Sequence, residues 1–69
     1  MLHIVEVRFA GENFRQFLLC VRGWLDAENA HPSTFRYWLV ERDTMLRGSF
    51  ESEEQARAFA EAFRGVIVA

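Results

Sequence analysis

The sequence predicts an α+β two-layer sandwich of order β-α-β-β-α with a short final strand. Three observations carry that expectation. Leu2 to Phe9 alternate with period two, and two helical stripes open on capping signals at Asn13 and Ser52. Two β-branched and aromatic runs, Thr34 to Val40 and Thr44 to Phe50, are separated only by Glu41-Arg42-Asp43.

In the first strand His3, Val5, Val7 and Phe9 share one side, and Leu2, Ile4, Glu6 and Arg8 the other. Ala10-Gly11-Glu12 connects it to a helix beginning at Phe14, where Asn13 and Gln16 read as an N-cap and its capping-box partner. Phe14, Phe17, Leu18, Val21, Trp24 and Leu25 form the apolar stripe of that helix. Gly23 inside it costs about 1 kcal/mol relative to alanine, and a close approach of Trp24 or of a neighbouring backbone would explain its presence. Asn29-Ala-His-Pro-Ser-Thr ends the helix, since Pro32 disfavours helical geometry in the residue before it.

The two following strands read as a hairpin. With Arg42-Asp43 at the tip of a two-residue loop, Leu39 pairs with Leu46, Tyr37 with Gly48 and Phe35 with Phe50. Ser52-Glu-Glu-Gln55 is a second capping box, with acids where the helix dipole favours them. Ala56, Phe59, Ala60 and Phe63 form the second stripe, and Gly65 reads as a left-handed cap. Val66-Ile67-Val68 is expected to be a short fourth strand; without it the sheet is three-stranded, with the first strand at an edge.

This is the order of the ferredoxin-like split β-α-β sandwich, with both helices on one face of an antiparallel sheet of spatial order 4-1-3-2. Residues 1–69 then form a single domain. Its expected core holds Val5, Val7, Phe9, Phe35, Tyr37, Leu39, Leu46 and Phe50 beneath the helical stripes. A domain of this length buries only about 60% of its unfolded surface. A hydrophobic content of 51% with 14% aromatics compensates in part.

Composition narrows the classes of function. The lone Cys20 cannot form an intramolecular disulfide, which fits a reducing cytoplasm. No apolar run approaches the ~20 residues a membrane span needs. Met1-Leu-His-Ile-Val-Glu lacks the basic region of a secretory signal, so a cytoplasmic protein is expected. All eight basic residues are arginine, as in GC-rich bacterial genomes, and the net charge is -2. That balance argues against binding nucleic acid by bulk electrostatics.

Chemistry-bearing residues are dispersed. His3 and His31 have no cysteine or carboxylate at ligand spacing, so no metal or other cofactor is expected. Cys20 falls at the margin of the first stripe and reads as half-buried and inert. Glu51, Glu53, Glu54 and Glu61 serve a helix cap and a solvated face, and no nucleophile elbow or triad spacing occurs. An enzyme is not expected.

The remaining signal is the open face of the sheet. It carries Leu2, Ile4 and Arg8, then Arg36, Trp38 and Val40, then Met45 and Arg47, and these eight form the candidate interface. The apolar members are expected to make a contiguous patch, the usual mark of an interaction surface. The second strand is also expected to be an edge, long, apolar and free of lysine or internal proline. The primary expectation is a protein-interaction module, a homodimer or a subunit bound to another protein through that face and edge. Arginine beside tryptophan also suits RNA or single-stranded DNA, the alternative partner.

The segment from Arg47 to Phe59, Arg-Gly-Ser-Phe-Glu-Ser-Glu-Glu-Gln-Ala-Arg-Ala-Phe, resembles the third-strand-to-helix passage of RNA recognition motif domains, which share this chain order. The resemblance implies RNA bound on the open face. It departs from that family where Met45, Arg47 and Ser49 stand in place of stacking aromatics.

Overall fold

Both helices begin where a side-chain cap stands ready. The computed structural model describes residues 1–11 and 13–68. Asn13 accepts a hydrogen bond from the Gln16 amide at 3.0 Å and opens α1 (Phe14–Ala27). Ser52 accepts from the Gln55 amide at 3.3 Å and opens α2 (Glu53–Phe63). Each relieves one of the amide donors that a helix start leaves without a partner. At the far end of α1, Asn29 adopts a left-handed φ of 53°. The Ala30 amide there reaches back to the Leu25 carbonyl at 2.8 Å, the bond of a Schellman closure.

The strands β1 (His3–Phe9), β2 (Thr34–Val40), β3 (Asp43–Phe50) and β4 (Val66–Ile67) form one antiparallel sheet in the order β2-β3-β1-β4. This is the expected ferredoxin-like order, and the short fourth strand does pair. Both helices lie on the face of Val5, Val7, Leu46 and Phe50, which are buried with Val21, Leu25, Ala56 and Phe59. Trp24 of α1 locks the helices together, edge-on to Phe59 at 5.6 Å and to Phe63 at 6.0 Å.

Four expectations need correction. The hairpin tip is Glu41-Arg42, with Val40 paired to Asp43 and Phe35 to Gly48, a shift of two residues from the predicted register. Asp43 is drawn into the ladder by its ion pair with Arg8 on β1, and Glu41 makes the turn with a φ of 59°. A two-residue shift leaves every side chain on its face, so the inside and outside of the hairpin are as predicted.

The left-handed residue closing α2 is Arg64, with φ 56°, rather than Gly65. Gly65 is needed for room instead, because a Cβ there would lie 2.8 Å from the Glu6 carbonyl oxygen and from Val7 Cγ2. Beyond its chain neighbours and its own helix backbone, Gly23 has nothing among the described residues within 4 Å of where a Cβ would be, so the approach of a neighbouring backbone does not explain it. Finally, Tyr37 and Leu39 point to the helix side as expected but are not core. They are 56% and 77% exposed, because the helices do not reach over that part of β2.

The difference in cover comes from the two stripes. α2 presents Ala56, Phe59 and Ala60, and its backbone settles close to β1, β3 and β4. α1 presents the half-buried Phe14, Phe17, Leu18 and Trp24 around the buried Val21 and Leu25, and its backbone makes almost no close approach to any strand. Large side chains hold it off the sheet.

Candidate interface at the second strand

β2 is an edge of the sheet, bonded only to β3 along its length. Its Thr34 hydroxyl donates to Ser49 Oγ at 2.8 Å, which fixes one end of the strand in register. Along the strand, Tyr37, Trp38 and Leu39 are consecutive and exposed. Strand alternation sends Tyr37 and Leu39 to the helix side and Trp38 to the open side. Tyr37 packs against Phe14 of α1, the rings tilted and their centroids 5.1 Å apart, and more than half of it faces water.

On the helix side a cleft of about 430 Å³ runs between α1 and β2. Leu18 and Leu25 line it from the helix, Pro32 from the loop, Phe35 and Tyr37 from the strand, with Arg22 at its border. His31, exposed in the loop, also borders it. The cleft exists because α1 stands off the sheet, and the sequence reading missed it. The available signal was the length of the side chains in the α1 stripe facing the apolar side of that strand.

The open face carries all eight predicted interface residues, and the structure orders them differently from the expected contiguous patch. Arg8 Nε donates to Asp43 Oδ2 at 2.5 Å. Arg47 Nε donates to Glu6 Oε2 at 2.9 Å, with a second bond from Nη2 to the same oxygen. These two pairs cross the middle of the face. Trp38, Val40 and Met45 fall on their β2 side, while Leu2 and Ile4 lie toward β4 beside Val66 and Val68. The hydrogen bond to Asp43, and then its charge, hold the Arg8 guanidinium above its already high ordinary pKa.

Trp38 takes the Arg47 guanidinium over its ring, 5.3 Å from the centroid. Arg36 sits directly opposite Arg47 across the β2–β3 ladder and makes no ion pair among the described residues. Like charges in that position repel. Arg36 therefore faces outward unneutralised, beside an exposed tryptophan.

Other candidates are scattered. Cys20 is exposed on α1, against the expectation of half-burial, because α1 turns that flank away from the sheet. Among the described residues no group of three or more His, Cys, Asp or Glu side chains is placed to hold a metal ion. Glu51, Glu53, Glu54 and Glu61 are exposed, and Glu53 pairs with Arg57 one turn along α2 at 3.3 Å. No helix among the described residues is long and apolar enough to cross a membrane.

No family model matches the chain, and no curated protein or solved structure matches it.

Proposed function

We propose that this chain is a non-enzymatic interaction module that binds a second copy of itself along the β2 edge. Tyr37-Trp38-Leu39 carries the reading: three consecutive large residues, exposed, on an edge strand. A partner resting on the open face covers Trp38 alone, and one on the helix side covers only Tyr37 and Leu39. A partner lying alongside the strand covers all three and satisfies its free backbone groups. Natural edges of this length are normally blunted by lysine, proline, bulges or brevity. β4 is blunted by brevity, and β2 has none of these, only the charged Arg36 on its open side.

The open-face residues Arg36, Trp38, Val40 and Met45 border this contact, with Leu2, Ile4, Arg8 and Arg47 farther from it. A reducing, cytoplasmic setting suits an exposed Cys20, which would otherwise cross-link copies. A nucleic-acid partner on the open face has less support, since Arg8 and Arg47 are committed to carboxylates within the face.

Light scattering across a concentration series is the test. The chain is expected to be a dimer at high micromolar concentration, and Trp38→Glu or Leu39→Lys to give a folded monomer. A wild-type chain that stays monomeric there rejects self-association. A shift with mixed oligonucleotides at low salt, weakened by Arg36→Ala, would instead favour the nucleic-acid reading.

A further inference from the structure

We propose that the cleft between α1 and β2 binds a free α-amino acid with a large apolar side chain, its carboxylate on Arg22, its ammonium group on Asp26 and its side chain between Leu25 and Phe35. The site lies on the helix side of the sheet and does not depend on self-association. Leu18, Arg22 and Asp26 follow one another at spacings of four along α1, so they form one row on the helix surface. All three line the cleft, with Phe35 and Tyr37 on the strand side. The row brings two opposite charges, one helical turn apart, to the edge of an apolar cleft.

Those charges do not satisfy each other. Among the described residues neither side chain makes an ion pair or a hydrogen bond. The order along the helix accounts for this, because a pair at a spacing of four is better formed when the acid precedes the base. Glu53 and Arg57 on α2 have that order and pair at 3.3 Å. Arg22 and Asp26 have the reverse order and stay apart. No other arginine or carboxylate lines the cleft, and His31 borders it from the loop.

Charge complementarity then selects the ligand. A simple carboxylate would meet Arg22 and be repelled by Asp26, and a simple amine would suffer the converse. A free α-amino acid carries both charges at one carbon, and its side chain leaves the same carbon toward the apolar wall. Its carboxylate suits the guanidinium fork, and its ammonium group donates to Asp26. The volume of about 430 Å³ falls toward the lower end of the ~300–1,000 Å³ of small-molecule sites. Phe35 and Tyr37 favour an aromatic side chain, which gains tilted or offset ring contacts.

Amide shifts of the isotope-labelled chain, titrated with L-phenylalanine, 3-phenylpropionate and phenethylamine, test the site. L-Phenylalanine is expected to shift Leu18, Leu25, Ala30 and Phe35 saturably, with a dissociation constant of about 1 mM. Each analogue lacks one charge and is expected to bind roughly tenfold more weakly. Arg22→Gln and Asp26→Asn, at exposed positions outside the core, are expected to weaken L-phenylalanine binding by a similar factor, and Arg42→Gln at the hairpin tip to leave it unchanged. The double variant Arg22→Glu with Asp26→Arg restores the favourable order, so it is expected to melt no lower than wild type and to lose binding. No saturable shift with L-phenylalanine, or shifts confined to residues away from the cleft, overturns the site. Equal affinity for either analogue, or binding kept by either single variant or by the double variant, overturns recognition of the two charges.

Discussion

Where α2 crosses β1 and β4, its inward residues are Ala56, Phe59 and Ala60, and Gly65 presses against the β1 backbone. Where α1 passes beside β2, Phe14, Phe17, Leu18 and Trp24 stand around the buried Val21 and Leu25, and a cleft remains. The two halves share one sheet and differ in how closely a helix can approach it. Close approach gives buried strands and a brief edge at β4. A standing-off helix leaves β2 long, apolar on its helix side and in contact with water. The surface available for recognition is thus a by-product of side-chain size in α1.

The sharpest way to break that comparison is to empty the closely packed half. Phe59 is fully buried against Phe50, Trp24 and Phe63, so Phe59→Ala is expected to cost about 3–5 kcal/mol in urea unfolding. Phe17, half-buried and stacked on Phe9 at 4.5 Å, belongs to the looser half. Its replacement by alanine is expected to cost roughly half as much. Equal losses at the two positions would mean that the halves are packed alike.

A smaller effect sharpens the comparison at the β4 end. Gly65→Ala places a methyl group on the backbone of β1, with no flexible neighbour to give way at the Glu6 carbonyl. We expect a loss of about 1–3 kcal/mol and faster amide exchange across β1 and β4. The opposite sign is expected at Gly23, where the space is open and the helix is exposed. Gly23→Ala there is expected to stabilise by up to about 1 kcal/mol. If Gly23→Ala destabilises, α1 is covered on a flank that this structure leaves bare.

The long strands and both helix starts were legible in the sequence because each rests on local chemistry, an alternation, a capping hydroxyl or amide, an acid in a first turn, and the strand order followed from the order of elements along the chain. The hairpin register was not. Registers two residues apart keep Phe35, Tyr37 and Leu39 on the same face, so the apolar pattern cannot choose between them. The choice fell to Asp43, whose partner Arg8 is remote in sequence. Gly65 was noticed for the wrong reason, since the need for room at β1 is invisible until the chain folds back. The open face was legible residue by residue, while its division by the Arg8–Asp43 and Arg47–Glu6 pairs was not. The cleft was illegible because it depends on the distance between two layers, which no single segment encodes.

The smallest expected effect is the most telling for β2. By sequence, Leu39 and Leu46 are equivalent, each an aliphatic residue on the helix side of the hairpin. By structure, Leu46 is fully buried and Leu39 is 77% exposed. At concentrations low enough for the chain to be monomeric, Leu39→Ser is therefore expected to change unfolding free energy by less than about 0.5 kcal/mol. Leu46→Ala is expected to cost about 2–5 kcal/mol. As concentration rises, wild type is expected to gain stability by mass action while Leu39→Ser does not, so the two unfolding midpoints separate. A midpoint difference already present in dilute solution would place Leu39 in the monomer core and close the gap above β2. One that never develops would show that the exposed leucine contributes nothing to a partner.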